Sequence, residues 1–249
     1  MAERYYWPND RLHFPAIESG TMAELSGDEA HHLIRVMRRK PGDIITLFDG
    51  YGHEFPAKIT GTQKDCVLLR ILEVRNVDTE SQHQVTVAVS LPKGDRQKWL
   101  LEKLTEIGCH RLIPLQTERG VAQCSDQVLE RLRRQVVEAT RQCHRACLMP
   151  ISPKRTIASC VAEYRHDHAA GWIAHPRSAN DFRQCDLSCL MQMSLPQRVL
   201  ILIGPEGGFT RQEVDQAIEF GAQPLDLGPR ILRVETAAIL LTAILTTIP

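Results

Sequence analysis

The chain has 249 residues, with 30 basic and 30 acidic side chains and a formal net charge of zero at pH 7. A chain of this length can bury a core that needs no disulfides, and a neutral chain has no overall field toward nucleic acid, so any RNA-binding surface must be local. No apolar run approaches the roughly 20 residues that span a bilayer, and the first residues lack the apolar block of a signal peptide. The composition therefore predicts a cytoplasmic protein that does not enter a membrane.

Residues 1–75 predict a small β-barrel or sandwich. Three β-type runs, at 43–48, 54–60 and 66–74, are separated by turn sequences, which is typical of such domains. Before these runs, residues 28–40 combine an apolar side with four cations. We name these four the N-terminal cation cluster: Arg35, Arg38, Arg39 and Lys40. The cluster predicts contacts to an RNA backbone, and a solvated charged face is the alternative.

A polar stretch at 76–84 has the composition of a linker, and beyond it strands and helices alternate. Strands are expected at 85–91, 111–115, 172–174, 199–203 and 224–227, and helices at 95–108, 125–143 and 156–164, from 210 and from about 235. Alternation of this kind predicts an α/β domain with a mostly parallel sheet over residues 76–249. The long helix and the residues after it add further candidate RNA contacts, with a solvated face again the alternative: Arg131, Arg133, Arg134, Arg141 and Arg145.

Eight cysteines raise the question of a metal site. The closest pairs, Cys143 with Cys147 and Cys185 with Cys189, have three residues between them instead of the two of common zinc knuckles. No second pair is placed to complete four ligands. Reduced thiols and no metal are therefore expected.

The loop after the strand at 199–203 reads Gly204-Pro205-Glu206-Gly207-Gly208 and leads into a helix. A strand, a tight glycine loop and a helix follow each other in nucleotide sites. A polyphosphate is disfavoured, because Pro205 has no amide donor and the Glu206 carboxylate would repel it. The following helix also has its own capping box, Thr210 with Glu213. The loop suits a cofactor with an adenosine and a positive centre, such as S-adenosylmethionine, and a simple glycine turn is the alternative.

Two more strand ends open into loops of unusual composition. The strand at 172–174 ends in His175-Pro176, and the strand at 224–227 leads into a second Gly-Pro followed by Arg230, Arg233 and Glu235. Since the carboxyl ends of parallel strands form one edge of a sheet, these loops predict a ligand crevice there.

At these residues the sequence resembles the RsmE family, which are SPOUT-class methyltransferases that methylate N3 of a uridine in 16S ribosomal RNA. The matching motifs are residues 202–208, 227–233 with Glu235-Thr236, His175-Pro176 and 117–119, while "VMRRKPGD" and "LFDGYG" resemble the family's PUA-like barrel. The resemblance covers nearly the whole chain. It departs from the family pattern within 141–150, where Arg141 and His144 do not fit.

The resemblance implies an α/β fold in which a C-terminal SPOUT domain, residues 76–249, is tied in a deep trefoil knot and follows an RNA-binding PUA-like β-barrel domain, residues 1–75. It also implies a homodimer with its active site near the subunit interface, and uridine 1498 of 16S rRNA in the small ribosomal subunit as the target. S-adenosylmethionine would be held between the knot loops, largely by backbone groups of these residues: His175, Pro176, Gly204, Pro205, Glu206, Gly207, Gly208, Leu227, Gly228, Ile231 and Leu232.

Methylation of uracil N3 requires loss of the imide proton, which leaves an anion spread over two carbonyl oxygens. A guanidinium would stabilise that anion, and a carboxylate or a water would take the proton. Arg233 is the predicted stabilising cation, and Glu118, Arg119 and Glu235 are the next candidates. A salt bridge to Glu235 or to a helix-start carboxylate is the alternative role for Arg233, and a solvated loop is the alternative for Glu118 and Arg119.

Two other functions remain open at this point. One is a related methyltransferase that acts on a ribose 2′-hydroxyl or on another base. The other is a non-catalytic RNA-binding or ribosome-assembly module with a vestigial pocket, which needs no affinity for the cofactor.

Overall fold

The computed structural model describes residues 3–8, 17–120, 124–165, 169–176 and 185–248. It divides into two compact units, one of Met1–Thr79 with Thr140–Leu148 and one of Glu80–Ala139 with Met149–Pro249. The domain boundary predicted between residues 75 and 76 stays a prediction. The units add a feature that the sequence division did not include, because the segment Thr140–Leu148 packs with the first unit.

The first unit is built on a mixed sheet. Its strands are β1 Arg4–Tyr6, β2 Met22–Ser26, β3 Ile44–Phe48, β4 His53–Thr62, β5 Cys66–Ile71 and β6 Arg75–Asn76. The strand order is β1-β3-β4-β5-β2, with β6 on β4; β1 runs parallel to β3 and the other pairs are antiparallel. The indole of Trp7 donates to the Glu24 carbonyl at 3.1 Å, which links the chain after β1 to β2 and brings the two ends of the strand path together.

A short helical segment covers one side of this sheet. It comprises α1, Gly27–His31, and a π-helical turn, His32–Val36. Ala30 and Leu33 are fully buried in the core formed with the strands, so the apolar side of residues 28–40 packs inward and leaves the cations outside. The helical segment ends before Arg38, whose φ of +52° is left-handed.

The second unit contains a parallel sheet of seven strands, which confirms the predicted α/β class. The strands are β7 Gln84–Val89, β8 Arg111–Gln116, β9 Arg155–Thr156, β10 Ala170–Ala174, β11 Cys185–Asp186, β12 Arg198–Ile203 and β13 Gln223–Asp226. Their order is β11-β13-β10-β12-β7-β8-β9, and every neighbouring pair is parallel.

Helices cover both faces of the parallel sheet. They are α2 Asp95–Glu106, α3 Asp126–Cys143, α4 Ile157–Arg165, α5 Leu187–Leu190, α6 Arg211–Glu219 and α7 Val234–Thr247. Leu200 and Leu202 of β12 pack in one core with α4 and α6, while α7 lies against β7 and β12 and packs with α2. Because both faces are covered, β12 is apolar at every position from Val199 to Ile203, without alternation.

Among the described residues, no helix is both long enough and apolar enough to cross a membrane. All eight cysteines lie in the described ranges and are free.

Candidate cofactor and active site

The strand order of the second unit changes direction beside β7. From β7 the chain goes to β8 and β9 on one side, and the later strands β10, β12 and β13 lie on the other. In open α/β sheets, ligands bind outside the carboxyl ends of the strands at such a switch point. The loops after β8, β10, β12 and β13 all leave from that edge, so the structure brings the predicted loops together there.

The glycine loop after β12 has the tight turn that its sequence predicts. The Gly208 amide donates to the Pro205 carbonyl at 2.8 Å, and Gly208 has a left-handed φ of +68°. A Cβ on Gly204 would lie 3.0 Å from the Phe209 ring, so a larger residue at this position would require the ring to shift.

The predicted capping box of α6 is confirmed. The Thr210 hydroxyl accepts from the Glu213 amide at 3.3 Å, and the Glu213 carboxylate accepts from the Thr210 amide at 2.8 Å. The other oxygen of Glu213 accepts from the Glu118 amide at 2.8 Å. The first turn of α6 is therefore satisfied by its own side chains, and it also fastens the loop after β8.

Arg119 lies across the glycine loop. Its Nη1 donates to the Gly207 carbonyl at 2.6 Å, and a Cβ on Gly207 would lie 3.3 Å from the Arg119 Cδ. Arg119 therefore contacts the candidate cofactor loop, whereas the neighbouring Glu118 contributes its backbone amide and exposes its side chain.

The loops after β10 and β13 are adjacent because these strands pair. The His175 amide donates to the Leu225 carbonyl at 3.0 Å, and partial burial lowers the pKa of the His175 imidazole, which favours the neutral ring. The Asp226 carboxylate accepts from the Gly228 amide at 3.1 Å and holds the start of the second loop. Further along this loop, the apolar side chain of Ile231 is 92% exposed.

At the start of α7, the predicted catalytic residues Arg233 and Glu235 differ in exposure and in their partners. Arg233 is the N-cap residue and is exposed, and its side chain forms no ion pair with any residue that the structure describes. The alternative role for Arg233, a salt bridge to Glu235, is therefore not what the structure contains. Glu235 is 4% exposed and faces Arg96 instead.

Arg96 is the site residue that the sequence analysis missed. It lies in the first turn of α2, directly after the loop that follows β7. Its Nη2 is 3.0 Å from the Glu206 Oε1, and its Nη1 is 4.0 Å from the Glu235 Oε2. The available signal was an arginine at the start of a helix that follows a buried strand. The Glu206 carboxylate, taken from the sequence as a sign of the cofactor's charge, is paired with Arg96.

In the first unit, the N-terminal cation cluster lies largely on the surface. Arg35, Arg38 and Lys40 are exposed. Arg39 is bound to Glu3, with 3.3 Å between Arg39 Nε and the carboxylate, and this hydrogen bond raises the pKa of the guanidinium. Three cations of the cluster are thus presented to solvent, and the fourth is partly neutralised.

Arg145, predicted from the sequence to contact RNA, is buried in the structure. The residue is 5% exposed, because its segment packs into the first unit. There the Arg4 guanidinium donates to the carbonyls of Arg145, at 2.9 Å, and Thr140, at 3.2 Å, and it is paired with Glu54 at 2.9 Å. A covered side chain of this kind is not presented to a phosphate backbone.

The cations of α3 that lie in the second unit have protein partners. Arg131 donates to the Gln97 side chain at 2.9 Å, while Arg133 and Arg134 approach Glu130 at 3.5 and 3.9 Å. The last two pairs are exposed and weak, so these arginines remain candidate RNA contacts.

Comparisons with known proteins agree with this geometry. A family model described as "RNA methyltransferase domain" matches residues 79–246, and one described as "RNA methyltransferase PUA domain" matches residues 25–72. The Ribosomal RNA small subunit methyltransferase E of Bacillus subtilis is 31% identical to this chain over 90% of this chain and 89% of that protein. The protein of the same name from Synechocystis is 32% identical over 86% of this chain and 69% of that protein.

Solved structures match the fold over almost the whole chain. The Ribosomal RNA small subunit methyltransferase E of Neisseria gonorrhoeae, bound to S-adenosyl methionine, aligns with a TM-score of 0.85 at 29% identity and covers 98% of this chain and 96% of that one. The protein Lpg2936 of Legionella pneumophila, in complex with the bound cofactor SAM, aligns with the same TM-score and identity over 98% and 97% of the two chains.

Proposed function

Since the chain belongs to the RNA methyltransferase family of the ribosomal RNA small subunit methyltransferase E proteins, we propose that it methylates N3 of uridine 1498 in 16S rRNA of the small ribosomal subunit. S-adenosylmethionine is the methyl donor in this proposal. The observation that carries it is the convergence of the glycine loop, His175 and the start of α7 at the carboxyl edge of one parallel sheet. The relatives from Neisseria gonorrhoeae and Legionella pneumophila, with the same fold, bind this cofactor.

The residues at this edge fit an adenosine-containing cofactor. The Cβ position of Gly208 has no heavy atom within 4 Å, so an adenine or ribose can approach this backbone closely. Burial lowers the pKa of His175, so its ring adds a hydrogen-bonding group that takes up positive charge less readily. A buried oxygen of Glu235 has no hydrogen-bond partner in the described part of the chain, so the site retains an unused acceptor. When bound, S-adenosylmethionine supplies an activated methyl group and a leaving group that is neutral at sulfur.

Arg233 is the proposed catalytic residue. Its guanidinium is exposed at the N-terminal end of α7 and is not held by an ion pair within the described residues, so it is available to the uracil carbonyl oxygen on which the negative charge develops. Arg119, fixed by its bond to Gly207, is the second candidate for this role. Glu118 and Glu235 are the candidate acceptors of the N3 proton, with a water as the alternative.

The proposal includes the deep trefoil knot, the homodimer and the cytoplasmic location. A homodimer is supported by Ile231, an exposed apolar side chain in the loop before α7, and by Trp99 on α2, which is 44% exposed. The first unit, whose PUA-like part carries the N-terminal cation cluster, would contact the rRNA backbone.

The decisive experiment incubates the purified protein and labelled cofactor with small ribosomal subunits that lack the modification. Nucleoside analysis is expected to find the label in N3-methyluridine at one position. Label in a 2′-O-methyl nucleoside or on another base would contradict the assigned substrate atom. Calorimetry with S-adenosylhomocysteine covers the remaining alternative, because a non-catalytic RNA-binding module would show no binding.

A further inference from the structure

Arg96 joins two carboxylates that come from different strand ends. Glu206 belongs to the loop after β12, and Glu235 is the second residue of α7, which follows β13. The Arg96 guanidinium is 3.0 Å from the first and 4.0 Å from the second. One side chain at the start of α2 therefore lies near both the glycine loop after β12 and the first turn of α7.

Arg96 lies closer to the more exposed of the two carboxylates. The Glu206 side chain is 48% exposed and the Glu235 side chain is 5% exposed. Water can solvate Glu206, so its ion pair contributes little. The Oε2 of Glu235 is buried without a hydrogen bond among the described residues, and such an acceptor carries an uncompensated desolvation cost. Arg96 thus pairs with the solvated Glu206 and leaves the buried Oε2 of Glu235 without a hydrogen-bond donor among the described residues.

The three side chains together carry a net negative charge, which favours a cationic ligand. One guanidinium and two carboxylates sum to one negative charge, and S-adenosylmethionine, with a sulfonium, an ammonium and a carboxylate, carries one positive charge. S-adenosylhomocysteine lacks the sulfonium and is neutral overall. These three side chains are therefore complementary in charge to the methyl donor and less so to its product, while Arg119, bound to the Gly207 carbonyl, adds one positive charge beside the same loop.

We propose that Arg96 is a positioning residue of the cofactor site, which exchanges Glu206 for Glu235 when S-adenosylmethionine binds. This inference rests on the proposed function. Glu206 is released to face the positive charge of the cofactor, and Arg96 closes on Glu235 Oε2 and supplies the missing donor. The required movement is about 1 Å, from 4.0 Å to hydrogen-bond distance, by a side chain that is 42% exposed.

The exchange makes Glu235 act on the cofactor only through Arg96, and a double-mutant cycle tests this. Cofactor affinity is measured by calorimetry for the wild type, Glu235→Gln, Arg96→Ala and the double variant. Glu235→Gln removes the charge that draws Arg96 away from Glu206, so it should weaken S-adenosylmethionine binding about tenfold, the effect of one charge-assisted hydrogen bond. In the Arg96→Ala background the same substitution should change the affinity by less than about twofold. Additive effects would overturn the exchange.

A second pair of variants does not require a change at the buried position. Glu206→Gln should weaken binding of S-adenosylmethionine but leave S-adenosylhomocysteine binding nearly unchanged. Arg96→Ala should not weaken S-adenosylmethionine binding, because the competitor for Glu206 is gone. If Arg96→Ala instead lowers affinity as much as Glu206→Gln, Arg96 merely holds the loop and the exchange is wrong.

Lys98→Ala is the matched control, because Lys98 is an exposed cation of the same helix that pairs at 3.6 Å with Glu102, within α2. It should leave both affinities unchanged. A wild-type protein that binds neither ligand would contradict the proposed function itself. A wild type that binds both, with additive variants, would overturn the role of Arg96 alone.

Discussion

Replacement of Arg233 by alanine should separate catalysis from folding and from cofactor binding. The guanidinium is exposed and has no ion pair among the described residues, so its loss should change the free energy of unfolding by no more than about 0.5 kcal/mol. Loss of a group that stabilises the developing oxyanion lowers kcat by about 100-fold or more, equivalent to roughly 2.7 kcal/mol. The Kd for S-adenosylhomocysteine should stay within about twofold, because the predicted cofactor contacts are backbone groups elsewhere in the loops.

The assay is single-turnover methyl transfer to small subunits that lack the modification, with calorimetry and urea unfolding on the same preparations. Arg230→Ala, which removes another exposed cation of the same loop, is the matched control and should retain most of the activity. Arg233→Lys should recover part of the rate, since the charge remains but the planar donor pair is lost. Turnover of Arg233→Ala within a few-fold of the wild type, or an equal loss in the Arg230 variant, would refute the assigned role.

Three further predictions concern stability and RNA binding. Arg4→Ala leaves Glu54 and two carbonyls without their buried donor and should lower the free energy of unfolding by about 3–5 kcal/mol in urea titrations; a change below 1 kcal/mol would contradict this. Burial lowers the pKa of the folded-state His175 below the usual 6.5, so as the pH falls the unfolded chain binds a proton on this imidazole before the folded chain does. The free energy of unfolding should therefore decrease as the pH falls below 6.5. His175→Asn should make this decrease smaller in unfolding experiments between about pH 7.5 and 5. Alanine at the three exposed members of the N-terminal cation cluster should raise KM for small subunits and lower the salt dependence of binding, with cofactor affinity as the unchanged control.

The parts of the site that the sequence predicted are set by neighbours along the chain. The glycine loop, the capping box of Thr210 with Glu213 and the strand before them depend on residues within a few positions of each other. The class of the second unit followed from the alternation of apolar strands and amphipathic helices, and the parallel sheet then placed the loops after β8, β10, β12 and β13 at one edge. Each of these steps needed periodicity and turn chemistry only.

The parts that the sequence did not predict depend on distant partners. β1 has three residues and pairs in parallel with β3, about forty positions later, so it has no periodicity that could be recognised. Arg145 has the composition of a surface contact, but its segment is buried through pairing of Leu148 with Gly50 and of Gly52 with Ala146. Arg96 is recognised as a site residue only through its pairing with Glu206 and its proximity to Glu235, which are distant in sequence.

The role of Glu206 depends on both its sequence context and its partner in the structure. Its sequence context suggested a carboxylate that faces a cationic cofactor, whereas the structure pairs it with Arg96. A permanent pair would leave the Glu206 charge compensated by Arg96, and Glu206 would then not distinguish S-adenosylmethionine from S-adenosylhomocysteine. With the exchange, the buried Glu235 takes the guanidinium and Glu206 faces the sulfonium, so the methyl donor binds more tightly than the product. The ratio of the two affinities in the wild type, and its collapse in Glu206→Gln, therefore distinguishes a fixed ion pair from one that the cofactor rearranges.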